Sequence, residues 1–109
     1  MASNDEATKT AMDTSVWVFS GASNDRFSFP GGVFTDRVIA EEWIERHKLT
    51  GTLTRYPLNI GVYDWAVARG WFTPMRPQHT SAEFIGTFSS ATQEHYHYHR
   101  GVGEGDGDG

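Results

Sequence analysis

Residues 32–57 read GVFTDRVIAEEWIERHKLTGTLTRYP, and within this stretch the hydrophobic period changes from two to about 3.6 and back again. Val33 and Phe34 complete a short strand. Thr35 stands as an N-cap, with Asp36 in the first turn where a carboxylate suits the helix dipole. The helix is expected to run to about Lys48, with Ile39, Ala40, Trp43, Ile44 and His47 along its apolar stripe. Arg37, Glu41, Glu42, Glu45 and Arg46 fill the opposite side, with Arg37–Glu41 and Glu42–Arg46 at i,i+4 spacing. Gly51 stops the helix, and Thr52–Tyr56 (TLTRY) alternates up to Pro57 as a further strand.

Outward from this unit, Ser15–Ser20 (SVWVFS) carries β-branched and aromatic residues on both faces and reads as the first strand, broken by residues 21–25. Residues 27–34 (FSFPGGVF) are mostly turn around Pro30, Gly31 and Gly32. Asn59 caps a second helix over about Ile60–Arg69, ended by Gly70. Ser81 caps a last turn or two containing Phe84, Ile85 and Phe88, and Gln93–His99 (QEHYHYH) alternates strictly as the last strand. The expectation is an α+β fold, with a small antiparallel or mixed sheet of about four strands and two main helices packed on one face.

A chain of 109 residues suits one hydrophobic core. All fifteen aromatic residues lie between Trp17 and Tyr98, which bounds a single compact domain at residues 15–99. Residues 1–14 have no aromatic residue and no sustained period, so they are expected to be a disordered tail. Residues 100–109 are expected to be a flexible, Gly-rich acidic tail, whose GEGDGDG lacks the spaced ligands and closing Glu of an EF-hand.

The net charge of −5 resides mostly in these tails, because residues 15–99 hold eight acids against seven bases. The arginines are scattered, so neither a nucleic-acid footprint nor a polybasic membrane surface is expected. With no cysteine, disulfides, thiolate catalysis and Cys-based metal sites are excluded. The acidic, non-hydrophobic start is unlike a signal peptide, and the expected location is cytoplasmic.

The segments VWVFSG at 16–21, residues 32–57, GVYDWAVARGWF at 61–72 and EFIGTFSSATQEHYHY at 83–98 resemble a family of small, functionally uncharacterised bacterial proteins carrying a domain of unknown function. The resemblance implies a compact α+β module and supplies no reaction or cofactor. The opening strand, GVF and AEEWI are also similar to a broad group of small phage and bacterial sheet-plus-helix domains.

Two groups of residues carry chemistry. In an extended Gln93–His99, His95, His97 and His99 share one face, and alternate residues sit roughly 6.6 Å apart. Two of these imidazoles can therefore converge on one zinc ion, with a third ligand from His79, His47, Asp64 or Glu94. The plainer reading places the tyrosines on the helices and the histidines on a wetter face. No nucleophile elbow, phosphate loop or His-Glu-x-x-His pair is present, so catalysis reduces to His97 acting with Asp64 or Glu83, and an enzyme is not the expected reading.

The other group is Trp71, Phe72, Met75 and Arg76, which follow Gly70 in a proline-containing loop. These residue types favour interface cores, although the same Trp and Phe can seal the end of a small core. The functional expectation is a non-catalytic, protein-binding or regulatory module whose partner is another protein or a second copy. The alternative is metal or small-molecule binding on the histidine face.

Overall fold

The computed structural model describes residues 14–23 and 29–104, so the expected tail at residues 1–14 lies outside them except for Thr14. Its elements are β1 (Ser15–Gly21), β2 (Pro30–Phe34), α1 (Arg37–Arg46), β3 (Gly51–Pro57), α2 (Val62–Ala68), a 3₁₀ turn (Pro77–Thr80), α3 (Ala82–Gly86), β4 (His95–His99) and β5 (Val102–Glu104). Among the described residues two compact units form, one drawn from 16–56 with 94–104 and the other from 14–15 with 57–93. Among the described residues no helix is long and apolar enough to cross a membrane.

The first unit is an α+β sheet unit with strand order β2-β1-β3-β4-β5. Among the described residues the sheet thus has five strands rather than about four, and its pairings are antiparallel. The end of β1 meets the start of β3, so this pair also runs antiparallel, with Ala22 N–H donating to Thr50 O at 2.9 Å. Alternation sends Trp17, Phe19, Leu53 and Tyr98 to one face, where α1 covers them with Ala40 and Ile44. Phe34, Trp43, Leu49 and Tyr96 pack around this core, and Trp43 meets Phe19 edge-on with ring centroids 5.6 Å apart.

Several boundaries differ from expectation for local reasons. Asp36, not Thr35, is the N-cap of α1, its Oδ1 accepting from Val38 N–H at 2.8 Å. The helix ends at Arg46, because His47 leaves helical geometry and Lys48 turns to φ +55°. Leu49 N–H then donates to Ile44 O and Lys48 N–H to Glu45 O, which is the Schellman pattern with a lysine at the left-handed position. Ile39 is 52 % exposed rather than part of the buried stripe, which narrows to Ala40 and Ile44 with Trp43 half-buried.

Gly51 belongs to β3 instead of a turn, and a Cβ there would overlap Ser20 O and stand 2.7 Å from the Phe19 ring. Pro30, Gly31 and Gly32 likewise lie in β2, where an edge strand tolerates Pro and a bulge between Phe19 and Ser20 absorbs the extra residue. The stretch read as a flexible tail contributes β5, paired with β4 through a turn at Arg100 (φ +52°) and Gly101 (φ +86°). Successive positive φ values match the twist of a two-residue hairpin.

Candidate functional site

The second unit is built on its own aromatic cluster. Helix α2 starts at Val62 with Gly61 as N-cap, later than the start expected from Asn59, which adopts φ +68°. It ends as the sequence suggests, at Gly70 (φ +75°). Gly70 N–H donates to Val67 O at 3.0 Å and Trp71 N–H to Ala66 O at 2.9 Å, a second Schellman closure. That closure sets the direction in which Trp71 leaves the helix.

Buried Tyr63 is the hub of the cluster, with ring centroids 5.9 Å from Phe72, 6.1 Å from Phe84 and 5.5 Å from Phe88. Phe72 is therefore largely a packing residue, half-buried against Tyr63, Phe84, Phe88 and the His79 ring. Ser81 caps α3 as expected, its Oγ accepting from Phe84 N–H at 3.1 Å, and so presents Phe84 to the cluster.

The loop between α2 and the 3₁₀ turn is tied down by His79. Its Nδ1 accepts from Met75 N–H at 3.0 Å and from Arg76 N–H at 3.2 Å. With both amides donating to it, Nδ1 serves as the acceptor nitrogen of this ring. Thr80 Oγ1 donates to Pro77 O at 2.9 Å and Ser81 Oγ to Gln78 O at 3.0 Å, fixing the next turn.

On this braced backbone Trp71 remains 48 % exposed and Met75 82 % exposed. Trp71 meets Trp65 edge-on at 5.1 Å, and the Arg69 guanidinium stands 5.6 Å from each indole. Arg76 is exposed beside Met75. Of the four residues singled out in the loop, Trp71, Met75 and Arg76 thus face solvent while Phe72 anchors the segment. Trp65 and Arg69 were not singled out, although their i,i+4 spacing was the available signal.

In the sheet unit, β4 turns Tyr96 and Tyr98 toward the core and His95, His97 and His99 to the exposed side. The His95 and His97 ring centroids are 5.3 Å apart. His97 Nδ1 lies 3.2 Å from Thr52 Oγ1, its cross-strand neighbour, and His99 Nδ1 lies 3.9 Å from Glu104 Oε2. The supplementary ligands are engaged elsewhere: His79 Nδ1 holds the loop, the His47 ring lies edge-on to Trp43, and Glu94 is bound within its own network. Among the described residues no group of three or more His, Cys, Asp or Glu is placed to hold a metal ion. Asp64 and Glu83 occupy the first turns of α2 and α3, and the Nδ1 of His97 faces the threonine hydroxyl rather than a carboxylate.

Glu94 accepts from the Tyr96 hydroxyl at 2.5 Å and from Arg55 Nη1 at 3.1 Å, while Arg37 lies 4.4 Å over the Tyr96 ring. The tyrosine hydrogen bond, then Arg55, holds the Glu94 carboxyl below the usual carboxylate range. Nearby, Tyr98 donates to Glu41 Oε2 at 2.5 Å, and burial followed by that bond pushes its phenol well above the ordinary tyrosine value. These pairs brace α1 against β4.

A family model described as "Domain of unknown function (DUF7710)" matches residues 16–104 of the chain. No curated protein and no solved structure matches it.

Proposed function

The chain belongs to the DUF7710 family, and we propose that this member is a non-catalytic module that binds another protein through the Trp71–Arg76 loop. One observation carries this reading: Trp71 and Met75 stay exposed on a loop whose backbone is held by His79 at two consecutive amides. A loop serving only as core cover has no need to hold a bare methionine in a fixed place. Pre-ordered apolar side chains reduce the entropy lost on association, and Trp, Met and Arg are enriched where interfaces are driest.

Arg69 and Arg76 flank the apolar residues, so the matching surface is an apolar recess with an acidic or carbonyl-rich rim. The proposal includes no nucleic-acid role, because the arginines do not gather into a positive field. The test is affinity capture from native cells with wild type, Trp71→Ala and Met75→Ala, each first checked by thermal melting. A stoichiometric protein lost with both folded variants is the expected result. Capture of the same proteins by all three would refute the loop as the binding surface.

A further inference from the structure

We infer that His95 and His97 form a solvent-open, two-histidine site for a divalent transition-metal ion of the zinc, copper and nickel class. The inference is independent of the Trp71 loop. Both imidazoles project from the exposed side of β4, where β3 pairs with both residues and β5 also pairs with His97, so their backbone is fixed. Their ring centroids are 5.3 Å apart with planes at 86°.

That spacing can be compared with what a shared ion requires. With a zinc–nitrogen bond near 2.05 Å, each ring centre stands about 3.2 Å from the ion, and two rings at the tetrahedral angle then have centres about 5.2 Å apart. The present ring separation thus matches that of two imidazoles on one ion, with no change in the strand positions.

Thr52 supplies the orienting contact. It lies directly opposite His97 in the β3–β4 register, with its Oγ1 3.2 Å from Nδ1. Accepting an Nδ1 proton there leaves the Nε2 lone pair of His97 available, as outer-shell partners of ligating histidines ordinarily do. The donors are imidazole nitrogens and the chain has no thiolate. This favours zinc, copper or nickel over magnesium and calcium, which take oxygen ligands. Exposure of both residues leaves the other coordination positions to water. His99 is drawn toward Glu104, 3.9 Å away, and is not assigned as a ligand.

The experiment uses the full chain without an affinity tag, titrated calorimetrically with Zn²⁺ and, separately, with Cu²⁺ followed by electron paramagnetic resonance. One saturable equivalent is expected, with a two-nitrogen signature for copper and no heat from Mg²⁺. His95→Gln and His97→Gln should each weaken binding at least tenfold, while His99→Gln and Trp71→Ala leave it unchanged. A His95→Gln/His97→Gln double variant that binds like wild type, an equal loss from His99→Gln, or no saturable binding would overturn the site. The copper spectrum of the wild type counts ligating nitrogens even if a variant folds poorly, and a count other than two would also overturn it.

Discussion

Lys48 and Arg100 both sit in the left-handed region, at φ +55° and +52°, where a side chain strains against its own backbone. Lys48 occupies the position of the α1 closure that glycine fills in α2. Lys48→Gly is therefore expected to stabilise the protein by about 1 kcal/mol, read as a raised denaturant midpoint at unchanged slope. Gly51→Ala should act oppositely, losing about 1–3 kcal/mol, since the new methyl overlaps Ser20 O and crowds Phe19. The sequence shows that Gly51 matters but not why, because glycine serves equally for a turn and for close strand contact. Tyr98 adds a pH dependence: its phenol titrates higher folded than unfolded, so the stability it contributes is present below about pH 10 and is lost as pH rises further. Midpoints measured from pH 8 to 11 should fall for wild type and fall less steeply for Tyr98→Phe.

Among the elements, the β4–β5 hairpin departs furthest from the sequence reading. Residues 102–104 hold one apolar side chain, Val102, which is 68 % exposed, so no periodicity announces a strand. The segment is held by pairing and by its turn, where Gly101 N–H donates to Leu49 O at 2.8 Å and Arg100 N–H to Thr50 Oγ1 at 3.0 Å. Truncation after His99 should therefore lower the melting temperature measurably, whereas truncation after Glu104 keeps these contacts. The centres of β1, α1, β3 and β4 were legible because their apolar residues recur at the right period. Helix ends were not, since Asp36 and Thr35 are both good caps and only the bond to Val38 N–H distinguishes them.

At the scale of the molecule, the two units have separate aromatic cores, and the distinction assigns different roles to neighbouring residues. Phe72→Ala should cost about 2–3 kcal/mol by emptying its place beside Tyr63, Phe84 and Phe88, while exposed Trp71→Ala costs less than about 1 kcal/mol. Chemical denaturation of the two variants checks the contrast. In the sequence the two are simply adjacent aromatics after Gly70, and only the ring cluster separates anchor from exposed surface. The same chain path also bears on how the protein folds. β1, β2, α1 and β3 are contiguous and β4–β5 is a local hairpin, but Arg55 and Glu94, which bond at 3.1 Å, are 39 residues apart in sequence. Closing a flexible loop of that length costs on the order of 3 kcal/mol before the contact returns anything. Pairing of β3 with β4 is therefore expected to limit the folding rate, and changes at Arg55 or Glu94 should chiefly slow refolding while leaving the unfolding rate nearly intact, as stopped-flow refolding and unfolding of Arg55→Ala would show.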